Sequence, residues 1–176
     1  MEHEQHFKLL KKVAVGDRKA FEQLYQATCN QLYAVSLKIL QNKEQADDAL
    51  QDAFIRIWHN AGDYSASKGK VLTWMVSIVR YRAFDAIRFR KVRQGNGLEE
   101  NYEVVVEDSI PLSAHEKQQL DYCLEELEET QRQAIHLAYF GGLTHQEVSD
   151  HIKRPLGSSK SLIRRGMQSL KRCLGL

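Results

Sequence analysis

Proline is scarce in this sequence, with only two residues in 176, and no long alternation of polar and β-branched residues occurs. Because proline interrupts helices and alternation marks strands, both absences predict a mainly helical fold. The longest apolar runs extend over a few residues, well short of the roughly 20 that a membrane-spanning helix needs. The N-terminus also lacks the apolar core of a signal peptide. We therefore expect a helical, cytoplasmic protein without membrane insertion.

Cysteines and catalytic motifs are also sparse. The three cysteines, Cys29, Cys123 and Cys173, are odd in number and widely spaced, without the C-x-x-C pairs of zinc sites. We therefore expect reduced, buried thiols rather than disulfides. The sequence has no H-E-x-x-H, phosphate-loop or G-x-S-x-G motif, and the spacing of His145 and His151 points them to different sides of their segment. These absences predict a protein that is not an enzyme and binds no metal or other cofactor.

Charge is distributed in blocks, although the formal net charge is only +2. Residues 68–93 contain eight basic side chains against one acidic, and residues 132–176 contain eight against two. Between them, residues 94–131 contain one basic side chain against eleven acidic ones. Two basic blocks indicate two surfaces that face nucleic acid, separated by a segment that avoids it. Chance clustering on solvated helix faces is the alternative.

Hydrophobic periodicity divides the chain into helical segments. Four helices are predicted in the first half: 4–14, 17–40 with an interruption near 28–30, 43–60 and 68–93. In the fourth helix, apolar residues recur at three- and four-residue steps and share one face: Leu72, Met75, Val76, Val79, Ala83 and Ile87. Residues 94–112 are acidic and contain two glycines, as is typical of a linker. The predicted architecture is all-α, with helical domains at 1–93 and 113–176.

A strong local signal lies in the second domain, where Thr144 and Glu147 have the spacing of a helix capping box. The helix that they begin is predicted to end near Ile152, because Pro155 disfavours the α conformation in the residue before it. Proline suits the first turn of a following helix, so residues 144–173 are predicted to form two helices joined by a short turn.

The second of these helices carries hydroxyl and basic side chains on its exposed face. The candidates for DNA contacts are Ser158, Lys160, Ser161, Arg164 and Arg165. Such groups contact phosphate oxygens or guanine edges, and the N-terminal turns of a recognition helix read the major groove in helix-turn-helix proteins. A plain antiparallel helix pair with a cationic exposed side is the alternative.

In three stretches, at residues 46–58, 73–88 and 142–161, the sequence resembles the extracytoplasmic-function (ECF) sigma factors of bacterial RNA polymerase, a group of the sigma-70 family. Residues 46–58, ADDALQDAFIRIW, are similar to the family's A-x-D-x-x-Q-[DE]-x-F-x-x-x-W segment. Residues 73–88, TWMVSIVRYRAFDAIR, resemble its W-[LM]-x-x-I-[AV]-R-x-x-x-x-D-x-x-R helix. Residues 142–149, GLTHQEVS, and 155–161, PLGSSKS, are similar to its helix-turn-helix, in which E-[IV]-A is followed by P-x-G-T-V-K-S.

The resemblance implies a factor that binds core RNA polymerase and directs transcription initiation at specific promoters. Its first domain would dock on the clamp helices of the polymerase large subunit through a polar and acidic surface formed by Asp47, Asp48, Gln51 and Asp52. Phe54 and Trp58 would pack inside. The C-terminal helix-turn-helix would read the minus-35 promoter element as duplex DNA.

The resemblance also implies that the loop at residues 59–68 captures an unstacked base of the displaced strand in the minus-10 element, and that the next helix follows this strand. The candidate contacts are Asn60, Tyr64, Lys68, Lys70, Trp74, Arg80 and Arg88. Aromatic and cationic groups suit this role because stacking and phosphate contacts offset the cost of unstacking. Two alternatives stay open: Asp85 can simply pair with Arg88, and Trp74 also fits a core position.

The sequence departs from the family pattern at three places. Ser149 stands where alanine is usual, Ser158-Ser159 replaces Thr-Val, and Phe89 interrupts the basic region after Arg88. Because each replacement is small or exposed on the predicted pattern, we expect it to retune promoter choice or loosen the turn without loss of the fold.

An anti-sigma protein is a further partner that the resemblance implies, and it would cover both DNA-binding domains. The acidic linker would imitate RNA inside the polymerase, or it would serve only as a solvated tether. The main alternative function is an autonomous helix-turn-helix regulator that binds an operator as a dimer. Residues 46–58 distinguish the two, because such a regulator has no use for a polymerase-docking helix.

Overall fold

The computed structural model describes residues 2–93 and 113–176, apart from the side chains of Glu2, Lys68 and Lys91. These residues form two compact units. The first unit contains helices α1 (Glu2–Ala14), α2 (Arg18–Leu40), α3 (Lys43–Asn60) and α4 (Val71–Arg93). The second contains α5 (Ala114–Glu125), α6 (Glu129–Ile135), α7 (His145–Ile152) and α8 (Leu156–Cys173). The predicted all-α class is confirmed, whereas the predicted linker at 94–112 lies outside the described residues and its bounds stay a prediction.

Side-chain caps define the breaks between the first three helices. The Asp17 carboxylate accepts the Ala20 N–H at 3.0 Å at the start of α2, and the Asn42 side-chain oxygen accepts the Gln45 N–H at 3.0 Å at the start of α3. Both satisfy backbone donors that a helix N-terminus leaves without a partner. The interruption predicted near residues 28–30 is wrong: α2 is continuous, and the buried Thr28 hydroxyl donates to the Leu24 carbonyl within it at 2.7 Å.

The core of the first unit forms where α2, α3 and α4 pack against one another, with α1 added beside them. The predicted apolar face of α4 is confirmed, since Met75, Val79, Ala83 and Ile87 are buried and Leu72 and Val76 are half-buried. The predicted start of this helix at residue 68 is wrong. Two short 3₁₀ turns, Ala61–Asp63 and Ala66–Lys68, precede α4, and Gly69 has a φ of 112°, which no helical residue adopts.

In the second unit α8 is the central helix, because α5, α6 and α7 all contact it. Along the first half of α8, Leu162 and Ile163 pack against Val148 and Leu143. Near its end, Leu170 packs against side chains of α5 and α6 and the turn between them: Cys123, Leu127 and Ile135. A π-helical turn, His136–Phe140, continues α6. Among the described helices of both units, none is long and apolar enough to cross a membrane.

The prediction of three reduced, buried thiols is wrong. Cys123 and Cys173 form a disulfide between α5 and the last residue of α8, with their Cα atoms 5.8 Å apart. Cys123 is buried, Cys173 is exposed, and Cys29 is a half-buried thiol on α2. This pairing could not be predicted from the sequence. The two cysteines are 50 residues apart, and only the packing of the two helices brings the sulfur atoms together.

Gly166 is a point of close approach between α6 and α8. A Cβ atom at this position would lie 2.6 Å from Ile135 Cδ1 and 3.3 Å from Gln131 Cβ. We expect Gly166→Ala to lower the free energy of unfolding of the second unit by about 1–3 kcal/mol, because overpacking outweighs the better helix propensity of alanine.

Ile135→Val provides the matched test of this contact, because it removes the Cδ1 atom that would clash. In chemical denaturation followed by circular dichroism, the Gly166→Ala/Ile135→Val double variant is expected to lose less stability than the sum of the two single losses. Strictly additive losses would show that Ile135 does not limit the space at Gly166.

Candidate nucleic-acid interface

The predicted helix-turn-helix is confirmed, and its first helix begins with a complete capping box. The Thr144 hydroxyl accepts the Glu147 N–H at 3.2 Å, and the Glu147 carboxylate accepts the Thr144 N–H at 2.6 Å. After Ile152 the chain reverses through Lys153, which adopts the left-handed conformation with a φ of 54°. Pro155 then precedes the first turn of α8. The helix α7 therefore starts and stops where the sequence predicts.

Two of the unusual serines tie the turn together rather than loosen it. Both are buried, and the Ser149 hydroxyl donates to the Arg154 carbonyl at 2.6 Å. The Ser159 hydroxyl lies 3.2 Å from the Pro155 carbonyl and 3.5 Å from the Arg154 carbonyl. The Arg154 N–H in turn donates to the Ser149 carbonyl at 3.1 Å. These bonds connect the end of α7 to the first turn of α8 and restrict the angle between them.

The five predicted minus-35 contacts lie on one side of α8. Ser158, Lys160, Arg164 and Arg165 are exposed, and Ser161 is half-buried. The opposite side of the helix packs into the core through Leu162, Ile163, Gly166 and Leu170. Hydroxyls and cations thus share a solvent-facing surface directly after the bonded turn, which is the arrangement that major-groove recognition requires.

A second candidate surface lies on α3 of the first unit. Asp47, Asp48, Gln51 and Asp52 are all exposed, as predicted, and the other side of the helix is buried through Ala46, Ala49, Leu50, Ala53, Phe54 and Ile57. The exposed set forms a polar and acidic strip about two turns long. We call these four residues the acidic strip.

An apolar groove, which was not predicted from the sequence, adjoins the acidic strip at Gln51. Aromatic rings from α2 and α3 line it: Phe21 lies 5.1 Å from Trp58, and Tyr25 lies 4.6 Å from Phe54, between ring centroids. Phe54 is buried as predicted, but Trp58 is only half-buried and faces the groove. Ile55 lines the groove while 56% exposed. The four-residue spacing of Phe21 and Tyr25 is the signal in the sequence that both rings lie on the same face of α2.

The loop predicted to capture a base is organised around Tyr64. Its hydroxyl donates to the Gly69 carbonyl at 2.7 Å, and its ring contacts the Trp74 ring at a centroid distance of 5.6 Å, edge to face. Both rings are half-buried, so each also keeps a surface in solvent. Burial raises the pKa of the Tyr64 phenol above its usual 10.0, which favours the protonated hydroxyl that donates to Gly69.

The other predicted minus-10 candidates are distributed along α3, the loop and α4. Asn60 and Lys70 are exposed, whereas the Lys68 side chain lies outside the described part of the structure. Arg80 is half-buried, with its guanidinium carbon 5.7 Å from the centre of the Phe84 ring. The structure therefore brings Tyr64 and Trp74 together and leaves Arg80 farther along the helix.

Arg88 forms the ion pair that the sequence left open as an alternative. Its Nη1 atom donates to Asp85 Oδ1 at 3.1 Å, and Arg82 pairs with the other oxygen of the same carboxylate. Two guanidinium groups thus share one negative charge, so the cluster keeps a net positive charge beside the path proposed for the strand. Arg82 was not among the predicted site residues, although its spacing of three from Asp85 allows this pair.

Comparisons with known proteins agree with both units. Residues 24–93 match the model of Sigma-70 region 2, and residues 117–170 match that of Sigma-70, region 4. The chain is 34% identical to the ECF RNA polymerase sigma factor SigK of Mycobacterium ulcerans, over 94% of this chain and 91% of the relative. SigK of Mycobacterium tuberculosis strain H37Rv is 33% identical over the same shares. Among solved structures, CnrH in complex with the cytosolic domain of CnrY is 20% identical over 97% of each chain, with a TM-score of 0.44.

The region 2 match contains the acidic strip and the loop around Tyr64, and the region 4 match contains the helix-turn-helix. The alternative function, an autonomous helix-turn-helix regulator, would explain the second unit but not the first. The similarity to SigK of Mycobacterium ulcerans, by contrast, extends over both units. The chain therefore belongs to the extracytoplasmic-function sigma factors of the sigma-70 family, which are transcription initiation factors and not enzymes.

Proposed function

We propose that this sigma factor binds core RNA polymerase through the first unit and holds promoter DNA at two points, one on each unit. The observation that carries the proposal is the exposed face of α8. Lys160, Arg164 and Arg165 lie there in solvent immediately after a capped and hydrogen-bonded turn. This face reads the minus-35 element in duplex form, with Ser158 and Ser161 donating to phosphates or bases.

The loop around Tyr64 and the start of α4 capture the displaced strand at the minus-10 element. Tyr64 and Trp74 supply aromatic surfaces on which an unstacked base gains contacts, while Asn60 at the end of α3 and Lys70 just before α4 are exposed. The cluster of Arg82, Asp85 and Arg88 keeps the following part of α4 positively charged, and Arg80 adds a further cation. Stacking and charge together offset the cost of opening the duplex.

Core polymerase docks on the acidic strip and the adjoining groove. Charged residues around an apolar patch with aromatic residues at its centre are typical of protein interfaces, since burial of the patch provides affinity and the charges provide orientation. Phe21, Tyr25 and Ile55 are therefore added to the predicted docking residues. We assign this surface to the clamp helices of the polymerase large subunit, and we place the complex in the cytoplasm.

Charge reversal in the acidic strip is expected to weaken this docking strongly. Asp48→Lys/Asp52→Lys changes two exposed side chains and leaves the buried face of α3 intact, so the fold should be retained. We expect polymerase affinity to fall about a hundredfold or more, because like charges facing each other across an interface cost several kcal/mol. The measurement is equilibrium binding of a labelled chain to core polymerase, followed by run-off transcription from a pool of promoters.

Asp121→Lys/Glu125→Lys is the matched control, because it reverses two exposed acidic residues at the same four-residue spacing on α5 of the second unit. Transcripts that require both the chain and core polymerase, and that disappear only in the Asp48/Asp52 variant, would support the proposal. Tight, specific binding of the isolated chain to promoter duplex, unaffected by polymerase, would instead indicate an autonomous regulator.

We also propose that an anti-sigma protein binds the chain and covers its DNA-reading faces while the factor is inactive. Its point of attachment on the first unit is the apolar groove that polymerase occupies in the active factor, because Tyr25 and Ile55 are exposed there and gain from being covered in the absence of polymerase. Affinity purification from cells is expected to recover polymerase and this protein in separate complexes. Recovery of polymerase alone under every growth condition would count against this partner.

A further inference from the structure

The first helix of the chain contacts the loop to which we assign base capture. The match to Sigma-70 region 2 begins at residue 24, so α1 precedes the matched segment. In the structure α1 packs against α2, α3 and α4, and also against the 3₁₀ turn Ala61–Asp63. Leu10 and Val13 anchor it in the core. Its N-terminal half carries a different set of side chains, which reach the loop and the start of α4.

His3 provides a long-range contact at the start of α4. Its Nδ1 atom accepts the backbone N–H of Val71 at 3.4 Å, across 68 residues of sequence. Val71 is the first residue of α4, where backbone N–H groups have no partner within the helix. A side-chain acceptor at such a position acts as a cap, so His3 connects the N-terminus of α1 to the helix that follows the captured strand.

Phe7 extends the contact to the two aromatic residues proposed for base capture. Ring centroids are 6.4 Å apart between His3 and Phe7, 6.0 Å between Phe7 and Tyr64, and 5.6 Å between Tyr64 and Trp74. Lys11 lies 4.4 Å from the centre of the Phe7 ring. An uninterrupted series of ring contacts therefore links the N-terminal half of α1 to Tyr64. The hydrogen bond to Gly69 also holds Tyr64 in place.

We infer that α1 is a positioning element for promoter opening, in which His3 and Phe7 hold Tyr64, Trp74 and the first turn of α4 in the arrangement that accepts the displaced strand. The inference rests on the proposed capture role of Tyr64 and Trp74. Preordering of this loop matters because a loop that becomes ordered only on binding loses conformational entropy at that step, which weakens capture. His3 and Phe7 are thus positioning residues and need not touch DNA.

The test uses the full chain bound to core polymerase and a promoter selected from a random pool by run-off transcription. The variants are His3→Ala and Phe7→Ala, with Phe7→Tyr to restore the ring and Lys8→Ala as a control on the same helix. Lys8 suits this purpose because its side chain is 72% exposed and its ion pair with Glu4 lies on the surface, where such a pair has a small effect. Tyr64→Ala and Trp74→Ala test the capture role directly.

Three quantities are measured for each holoenzyme: affinity for a single-stranded oligonucleotide of the melted segment, permanganate reactivity of unpaired thymines, and affinity for core polymerase. We expect Phe7→Ala to weaken strand binding about tenfold and to reduce permanganate reactivity, because the stacking of the base on Tyr64 and Trp74 is partly lost. His3→Ala should act in the same direction. Phe7→Tyr and Lys8→Ala should behave like the unmodified chain, and affinity for polymerase should not change.

The outcomes separate the inference from the function on which it rests. If Tyr64→Ala and Trp74→Ala weaken strand binding but the α1 variants do not, the positioning role is wrong and capture stands. If Tyr64→Ala and Trp74→Ala leave strand binding intact, the capture role fails and the inference fails with it. If Phe7→Ala lowers the thermal stability of the chain and weakens binding to polymerase by the same factor as binding to the strand, α1 serves the fold alone. The inference is then also overturned.

Discussion

Replacement of Cys173 with serine is expected to lower the free energy of unfolding of the second unit by about 4 kcal/mol. The bond to Cys123 closes a segment of 50 residues, and a cross-link of that length removes a corresponding amount of chain entropy from the unfolded state. The loss should be severe because a helical unit of this size buries a small core and depends on additional constraints. Cys173 is the better position for the change, since its side chain is exposed while that of Cys123 is buried.

Chemical denaturation with and without a thiol reductant measures the effect. Reduction of the unmodified chain should reproduce the instability of Cys173→Ser, whereas Cys29→Ser, which removes the cysteine outside the disulfide, should change little. Titration of the denatured, unreduced chain is expected to find one thiol, and titration after reduction three. Three thiols in a chain purified without reductant would show that the bond does not form. If the bond is present, the stability of the second unit follows the redox state of the medium.

Simultaneous replacement of Lys160, Arg164 and Arg165 with alanine is expected to weaken binding of the holoenzyme to promoter duplex by about a hundredfold or more. Each such side chain contributes a phosphate contact or a base contact of about 1–3 kcal/mol. The slope of affinity against salt concentration should also become shallower, because fewer counterions are released from the DNA. Affinity for core polymerase should not change, because the proposed docking surface lies in the other unit.

Lys171→Ala/Arg172→Ala is the matched control for this variant. Both residues are exposed cations near the C-terminal end of the same helix, away from the bonded turn. Electrophoretic or fluorescence binding at several salt concentrations distinguishes the two variants. Equal losses in both would mean that α8 attracts DNA only through its overall charge, and a parallel loss of polymerase binding would place a docking function on α8.

Local chemistry made much of the architecture predictable. Helix caps form at Asp17, Asn42 and Thr144. A cap needs only a side-chain acceptor at the position just before the helix, so it depends on a few neighbouring residues. The apolar faces of α4 and α8 follow from three- and four-residue spacing for the same reason. The errors in the helix bounds occur where local signals conflict. Thr28 does not interrupt α2, because its hydroxyl donates within the helix, and the positive φ of Gly69 places the start of α4 after it.

Three features depended on contacts between residues distant in sequence. The disulfide required α5 to pack against α8, and the apolar groove required Phe21 to meet Trp58 and Tyr25 to meet Phe54. The hydrogen bond from Val71 to His3 spans 68 residues. Residue spacing does not predict such pairs, since periodicity identifies the buried face of a helix but not the helix against which that face packs. The sequence by itself therefore determined the helices, the helix-turn-helix and the family. Only the tertiary structure decided which cysteines pair and how α1 reaches the loop around Tyr64, because these depend on the packing of whole helices.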